Sequence, residues 1–397
     1  MLIKLAWQSL LYRWKTALWT TLTLAISALV LLAVVHVSQQ LKSSFERSVS
    51  GVDLIVGPRT SDINLLLASV FHMGTLPTTV SSDSFSHWQQ HKDVEWAVPL
   101  VVGDSFQGYP VVGTEAAFFS HYQVDKQPLD FQSGGIFTEH HDVVLGALVA
   151  RQQKLSVGDT LHLSHGTARV SFKQHGEHTF HVVGILSPTG TPVDKSLWID
   201  KGAVSELHGS SASEQAINSF LLGVSSPFAV LRLQRAINQF DQEPLSAIMP
   251  RLAMTSLWSL LDSVEVLLMV IGSLVLFAAL GGLCTQLLAS MAQRQRELAM
   301  VRAIGAGPGF VVRLILIETL FMTLVAAMLA LLVLWLSAML LQPWLLQTYG
   351  VMISSNVFTT QSAGLLGLLV ISGQVVSLIP ALSSYRATLQ RALMASD

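Results

Sequence analysis

Two stretches of the chain carry side chains with obvious coordination chemistry. HLSHGTARVSFKQHGEHTFH supplies His162, His165, His175, His178 and His181, and EHHD supplies His140 and His141 between Glu139 and Asp142. Neutral imidazole is a common zinc ligand, so these seven histidines are candidate ligands for zinc. The spacing argues the other way. Histidines three apart, as in HGEH and HTFH, fall on opposite sides of a strand. The tract then reads more readily as an exposed hairpin whose rings are merely polar.

Other catalytic patterns are missing. No G-x-x-x-x-G-K-[ST] loop occurs, and GAGPG (Gly305–Gly309) lacks both the lysine and a preceding strand. H-E-x-x-H, G-x-S-x-G and C-x-x-C are absent as well. The chain is therefore expected to be non-catalytic. Nothing in it suggests a nucleic-acid partner.

The elements that must position these residues are set by hydropathy. Hydrophobic residues make up 51% and charged residues only 12%, about half the charge of an ordinary soluble domain. Four runs reach the roughly 20 apolar residues that a spanning helix needs. They are Ala17–Val37, a second within Val266–Gln293, Leu314 to about Leu341, and Ala363–Ser383. The first is too long for the core of a signal peptide, and no A-x-A-like site follows it. Glu318 is the only charge in the third run. Placed about a turn from the inner boundary, it is expected to snorkel or pair with an arginine.

Charge fixes the orientation. Lys4, Arg13, Lys15, Arg294, Arg296, Arg302, Arg313, Arg386 and Arg391 flank the runs on one side, whereas Gln342–Ser362 carries no charge. Basic flanks stay inside, so both termini are expected in the cytoplasm and residues 38–262 outside. That segment holds 14 basic and 21 acidic side chains, and no cysteine. An ordinary core, not disulfides, must stabilise it.

The expected order is an amphipathic helix at 1–16, a span at 17–37, an external domain with stalk ends at 38–262, a span at 264–290, an inner segment at 291–312, a span at 313–341, an outer loop at 342–362, a span at 363–383 and an inner tail at 384–397. In the first helix Ile3, Trp7, Leu10 and Trp14 form a stripe that suits a lipid surface, with Lys4, Gln8 and Lys15 on another face. QQLKSSFERSV and RLAMTSLWSLLDSVEV prolong the flanking spans outward as a stalk. Val94–Val102, His141–Leu145, Asp159–Leu163, Phe180–Ile185 and Ser219–Val224 read as strands, and Val204–Leu207 and Pro227–Phe240 as helices. SPTGTP (Ser187–Pro192) is a turn signal. The fold class is thus an α-helical membrane protein with four transmembrane helices, one before and three after a large mixed α/β domain.

RELAMVRAIGA (Arg296–Ala306) lies between the second and third runs. Its strong helix formers predict a short inner-face helix. Leu298, Met300, Val301 and Ile304 could enter a groove on a cytoplasmic partner, with Arg296, Glu297 and Arg302 at the rim. A plain basic hairpin accounts for the same residues equally well.

RELAMVRAIGAGPGFVVRLILIETL also resembles the segment after the second span in permeases of the MacB/FtsX type, the type VII ABC transporters. The family pattern, roughly E-[IL]-G-x-[LM]-[RK]-A-[IL]-G-A and then a span opening with Glu, matches Glu297, Leu298, Met300 or Val301, Arg302, Ala303, Ile304, Gly305, Ala306 and Glu318. Ala299 replaces the usual glycine, which makes a helix easier. AWQSLLYRWKTALWTTLTLAISALVLL is similar to the family's first helix and span. VVGTEAAFF, DVVLGALVARQQKLSVGDTLHL and FHVVGILSPTGTPVDKSLWI resemble its MacB-like periplasmic core.

The resemblance implies a homodimer in a bacterial inner membrane, bound to two copies of a cytoplasmic ATPase at Glu297–Ala306, with ATP and magnesium held by that partner. It implies mechanotransmission, in which ATPase closure moves the external domains, with a periplasmic adaptor or binding protein as a further partner. Two other roles stand beside it. One is a permease linked to zinc acquisition through the histidines. The other is regulation of a periplasmic cell-wall hydrolase, although family members of that kind usually have a smaller external domain.

Overall fold

The computed structural model describes residues 2–165, 174–207, 216–293, 308–350, 352 and 354–394. The side chains of 164–165, 174–178, 308, 349 and 384–394 are not described. The chain forms two compact units. One comprises 1–39, 262–341 and 354–397, and the other comprises 40–261 and 342–353.

Helices make the first unit. α1 (Leu2–Tyr12) precedes α2 (Trp14–Arg47), and after the external segment come α9 (Pro250–Gln293), α10 (Pro308–Tyr349) and α11 (Thr360–Met394). α2, α9, α10 and α11 are each long and apolar enough to cross a bilayer. Leu24, Ala28 and Leu32 of α2, Leu283 and Leu287 of α9, and Ile315, Ala326 and Ala330 of α10 share one buried cluster with Leu369 and Ala381 of α11. Small residues let the backbones approach closely. A Cβ on Gly373 would lie 2.5 Å from Thr323 Cγ2, and one on Gly272 would lie 2.6 Å from Leu31 Cδ2.

The second unit is a mixed sheet with helices on both faces. Its strands are β1 (Leu54–Pro58), β2 (Val94–Phe106), β3 (Tyr109–Thr114), β4 (Gln123–Val124), β5 (Gln127–Pro128), β6 (Phe131–Gly134), β7 (Asp142–Leu145), β8 (Thr160–His165), β9 (Gln174–Leu186), β10 (Leu197–Asp200), β11 (Ser219–Val224) and β12 (Leu245–Ile248). The main sheet runs β12-β1-β11-β2-β3-β10-β7-β9-β6, with β8 against β2 and β9. β10 lies parallel to β3 and β7 parallel to β9, and the other pairs are antiparallel.

Every residue of β1 is buried, which follows from coverage on both faces. Ile55 points to the core shared with Leu65 and Leu66 of α3 (Asp62–Val70). Leu54 and Val56 point to the opposite core, with Phe85 and Trp88 of α4 (Ser82–Gln89) and Leu233 and Ile237 of α8 (Pro227–Asn238). Toward β7 and β10 a third core forms under α6 (Ala147–Gln153) and α7 (Lys201–Leu207), around Leu145, Val149, Leu197, Ile199 and Val204. A short helix, α5 (Phe118–His121), puts Phe118 against Trp198 with ring centroids 4.3 Å apart.

The stalk ends pack together within this unit. Phe45 lies 5.2 Å from Trp258 and 4.8 Å from Phe71 between ring centroids, and Lys42 Nζ sits 5.9 Å over the Trp258 ring. One expectation needs adjustment. Residues 342–349, assigned to a loop from sequence, continue α10 as helix, with Pro343 inside it. Gln152 Nε2 donates to Thr348 O at 2.9 Å, so this helix end is held by α6.

Candidate functional site

The segment Arg296–Gly305, expected from its sequence to dock a cytoplasmic partner, lies outside the described residues. Its flanks are described: α9 ends at Gln293 and α10 begins at Pro308. What can be built from side chains is the polar centre around Glu318, about three turns into α10.

Glu318 is 1% exposed, and a buried carboxylate needs partners. It finds them in the N-terminal helix. The Ser9 hydroxyl donates to Oε1, and Arg13 Nη2 lies 3.4 Å from Oε2. Trp7 adds an edge contact to Phe321, with centroids 6.0 Å apart. α1 therefore turns Ala6 and Ser9 inward, while its Ile3, Trp7 and Leu11, and Trp14 at the start of α2, remain exposed as a stripe suited to a lipid surface. Leu10, placed in that stripe from sequence, instead packs against the buried cluster. Sequence reasoning provided for an arginine partner but identified neither Arg13 nor Ser9. Their spacing of four, on the face that carries Ala6, was the available signal.

The other buried polar side chains of the membrane unit include Thr21, Ser27, His36, Ser290, Thr319, Thr323 and Ser377, none of them a carboxylate. A groove of about 950 Å3 beside α10 and α11 is lined by Leu324, Met328, Trp335, Phe358 and Ile371 among others, with no charged side chain.

In the external unit His140 and His141 line a cleft of about 560 Å3, with Glu115, Glu139, Asp200 and Glu206. His140 Nδ1 lies 2.9 Å from Asp200 Oδ1, and His141 Nε2 lies 3.8 Å from Glu206 Oε2. Lys201 Nζ pairs with Glu115 at 2.6 Å. Asp142, the last member of EHHD, is used by its own loop: Oδ2 accepts the N–H groups of Thr138 and Glu139 at 2.9 Å each. The cleft is electronegative and open, suited to weak attraction of cations.

The remaining candidate histidines fall on one hairpin. β8 and β9 pair with His162 opposite Thr179 and His181 opposite Thr160, which makes the two histidines diagonal neighbours on one exposed face. The side chains of His165, His175 and His178 lie outside the described residues. The His181 N–H donates to His141 O at 2.8 Å, so the two histidine-bearing segments are adjacent in the sheet. Among the described residues, no three His, Cys, Asp or Glu side chains are grouped closely enough to hold a metal ion. The donor set that can be described does not form a zinc cage.

Comparison with known proteins gives the architecture a family. Residues 16–240 match the family model of the MacB-like periplasmic core domain, and residues 269–389 match that of the FtsX-like permease C-terminal region. No sequence among curated proteins matches the chain. Two solved structures are similar over its external part. The periplasmic region of MacB from Actinobacillus actinomycetemcomitans is 12% identical with a TM-score of 0.37, covering 53% of this chain and 94% of that one. The extracellular domain of the noncanonic ABC-type transporter YknZ from Gram-positive bacteria is 15% identical with a TM-score of 0.32, covering 50% of this chain and 98% of that one. With the core domain placed between one span and three, and the permease region following, this chain belongs to the MacB/FtsX family of ABC transporter permeases.

Proposed function

We propose that this chain is the membrane subunit through which a separate cytoplasmic ATPase moves an external domain. The carrying observation is the length of two helices. α2 has 34 residues and α9 has 44. At 1.5 Å per residue they reach about 51 and 66 Å, against a hydrocarbon core of about 30 Å. Neither helix breaks where its apolar run ends. Phe45, Trp258 and Lys42 then join the two stalk ends, so a tilt or twist of one is carried to the other.

In this reading both termini are cytoplasmic, in a bacterial inner membrane, and two copies of the chain work together. Residues Arg296–Gly305 dock on the ATPase, with Leu298, Met300, Val301 and Ile304 in a groove and Arg296, Glu297 and Arg302 at its rim. The α1–Glu318 centre anchors the helix that follows this segment. Useful work is done outside, as export or envelope-associated action, because the spans offer no evident polar conduit.

The docking role is tested by Ala303→Asp combined with Ile304→Asp. Two carboxylates in the apolar face should abolish co-purification of the ATPase and uncouple its hydrolysis from the permease. Co-purification and hydrolysis at the unsubstituted level would refute the docking role.

A further inference from the structure

The loop between β9 and β10 brings together parts of the external unit that are far apart in the chain. Asp194 is 1% exposed. Its carboxylate accepts the Thr189 N–H at 2.9 and 3.0 Å, the Thr189 hydroxyl at 2.7 Å and the Gly190 N–H at 2.8 Å. Burial pushes this carboxyl above the usual range. The hydrogen bonds from Thr189 and Gly190 and the charge of Arg151 pull it back. The cage holds Gly190 at φ +70°, where a side chain is disfavoured.

Gly190 then meets two separate elements. Its carbonyl accepts from Ser44 Oγ at 3.2 Å, near the outer end of α2. Its bare Cα is covered by Met352, since a Cβ there would lie 2.6 Å from Met352 Cγ. Met352 follows α10, whose end is tied to α6 through Thr348. Gly350, at φ +63°, also approaches this loop: a Cβ on it would lie 3.6 Å from Lys195 Cε. The outer ends of α2 and α10 thus converge on a loop of six residues, 189–194.

We infer that this loop is a third mechanical link beside the two stalk helices, joining the outer end of α10 to that of α2, with Asp194 as its positioning residue. The inference rests on the mechanical function proposed above and adds a route to it. Movement of α10 presses Met352 on Gly190. The Asp194 cage makes the loop respond as one piece, so the displacement reaches Ser44 without being absorbed by local bending. Without the cage, Gly190 can rotate in place and the displacement stops there.

The test is hydrogen exchange on the full chain with its ATPase in lipid nanodiscs, with and without ATP and vanadate. Segments 342–350 and 186–200 are followed. In the unsubstituted complex both should change exchange rate on trapping, by about threefold or more. Asp194→Ala should keep the response of 342–350 and lose that of 186–200. Met352→Ala should do the same, while exchange of 186–200 without nucleotide stays normal because the cage is intact. A purely structural role for Asp194 predicts no effect of Met352→Ala. If Asp194→Ala fails to fold, Met352→Ala decides alone. An undiminished response of 186–200 in Met352→Ala overturns the link. So does a response of 342–350 alone in the unsubstituted complex, which leaves the mechanical function standing. If neither external segment responds there, the mechanical function itself fails.

Discussion

Glu318 and Asp194 are both 1% exposed, and the two units satisfy them by opposite means. Glu318 takes its partners from residues 309 and 305 positions away, a hydroxyl and a guanidinium on the N-terminal segment. Asp194 is held by residues four and five positions before it, through two backbone N–H groups, of which Thr189's is shared between both carboxylate oxygens, and the Thr189 hydroxyl. A local acid shapes a turn and tolerates the loss of one donor. A remote acid ties two elements together and depends on each partner. In a largely apolar unit such a tie helps to fix which helices are neighbours.

The largest expected effect breaks the remote tie. Arg13→Met removes the guanidinium beside a carboxylate that is 1% exposed and should cost about 3–5 kcal/mol in the stability of the solubilised chain. Adding Glu318→Leu should restore most of that, because no buried charge remains. Denaturation in detergent reads both, and a double variant no more stable than the single one would show that the pair is not the tie.

The next effect separates the units by pH. His72 Nδ1 lies 3.0 Å from Ser196 Oγ, and its ring centroid lies 5.6 Å from that of Trp198. Burial holds its pKa at about 4, below the ordinary 6.5. A depressed folded value means that its stabilising contribution is present above pH 6.5 and lost as pH falls toward 4. The loss is on the order of 3 kcal/mol at most. Melting followed by tryptophan fluorescence should drop between pH 7 and 4.5, and His72→Leu should flatten that drop. A wild-type melting point constant over this range would remove His72 from the account.

The smallest effect probes the local cage. Thr189→Val removes the hydroxyl hydrogen bond to Asp194 and keeps the backbone donors, so it should cost about 1 kcal/mol. A loss as large as that of Arg13→Met, measured in the same denaturation series, would erase the contrast between the two acids.

Much of this architecture is legible in the residues alone. Apolar runs of spanning length mark the four long helices, and β-rich runs at Val94, Phe180 and Ser219 lie inside β2, β9 and β11. Strand order is not legible. β1 pairs with β11 and β12, more than 150 residues later, and local patterning carries no information about such partners. The candidate sites divide in the same way. Glu318 stands out as a lone charge in an apolar run, but Ser9 and Arg13 read only as parts of an amphipathic turn. SPTGTP announces a bend, yet nothing in it shows that Asp194 closes a cage or that Met352 covers Gly190. His72 lacks any local signal, because its environment is assembled from Ser196 and Trp198.

The pairing of β1 with β12 also bears on how such a chain can be remodelled. Ile55 faces Ile248 and Pro58 faces Leu245, so the first and last strands of the external unit are zipped along a four-residue ladder. The 186 positions between those paired ends include Phe71 and Gly190, which hold Phe45 and Ser44 of α2, so the ladder closes the unit together with those contacts. A foreign insert would have to close on the same ladder and also rebuild the contacts to Phe45 and Ser44 in order to seat on α2. Change in the external head is therefore constrained at the few positions that touch the end of α2, and less so elsewhere along the ladder-closed stretch.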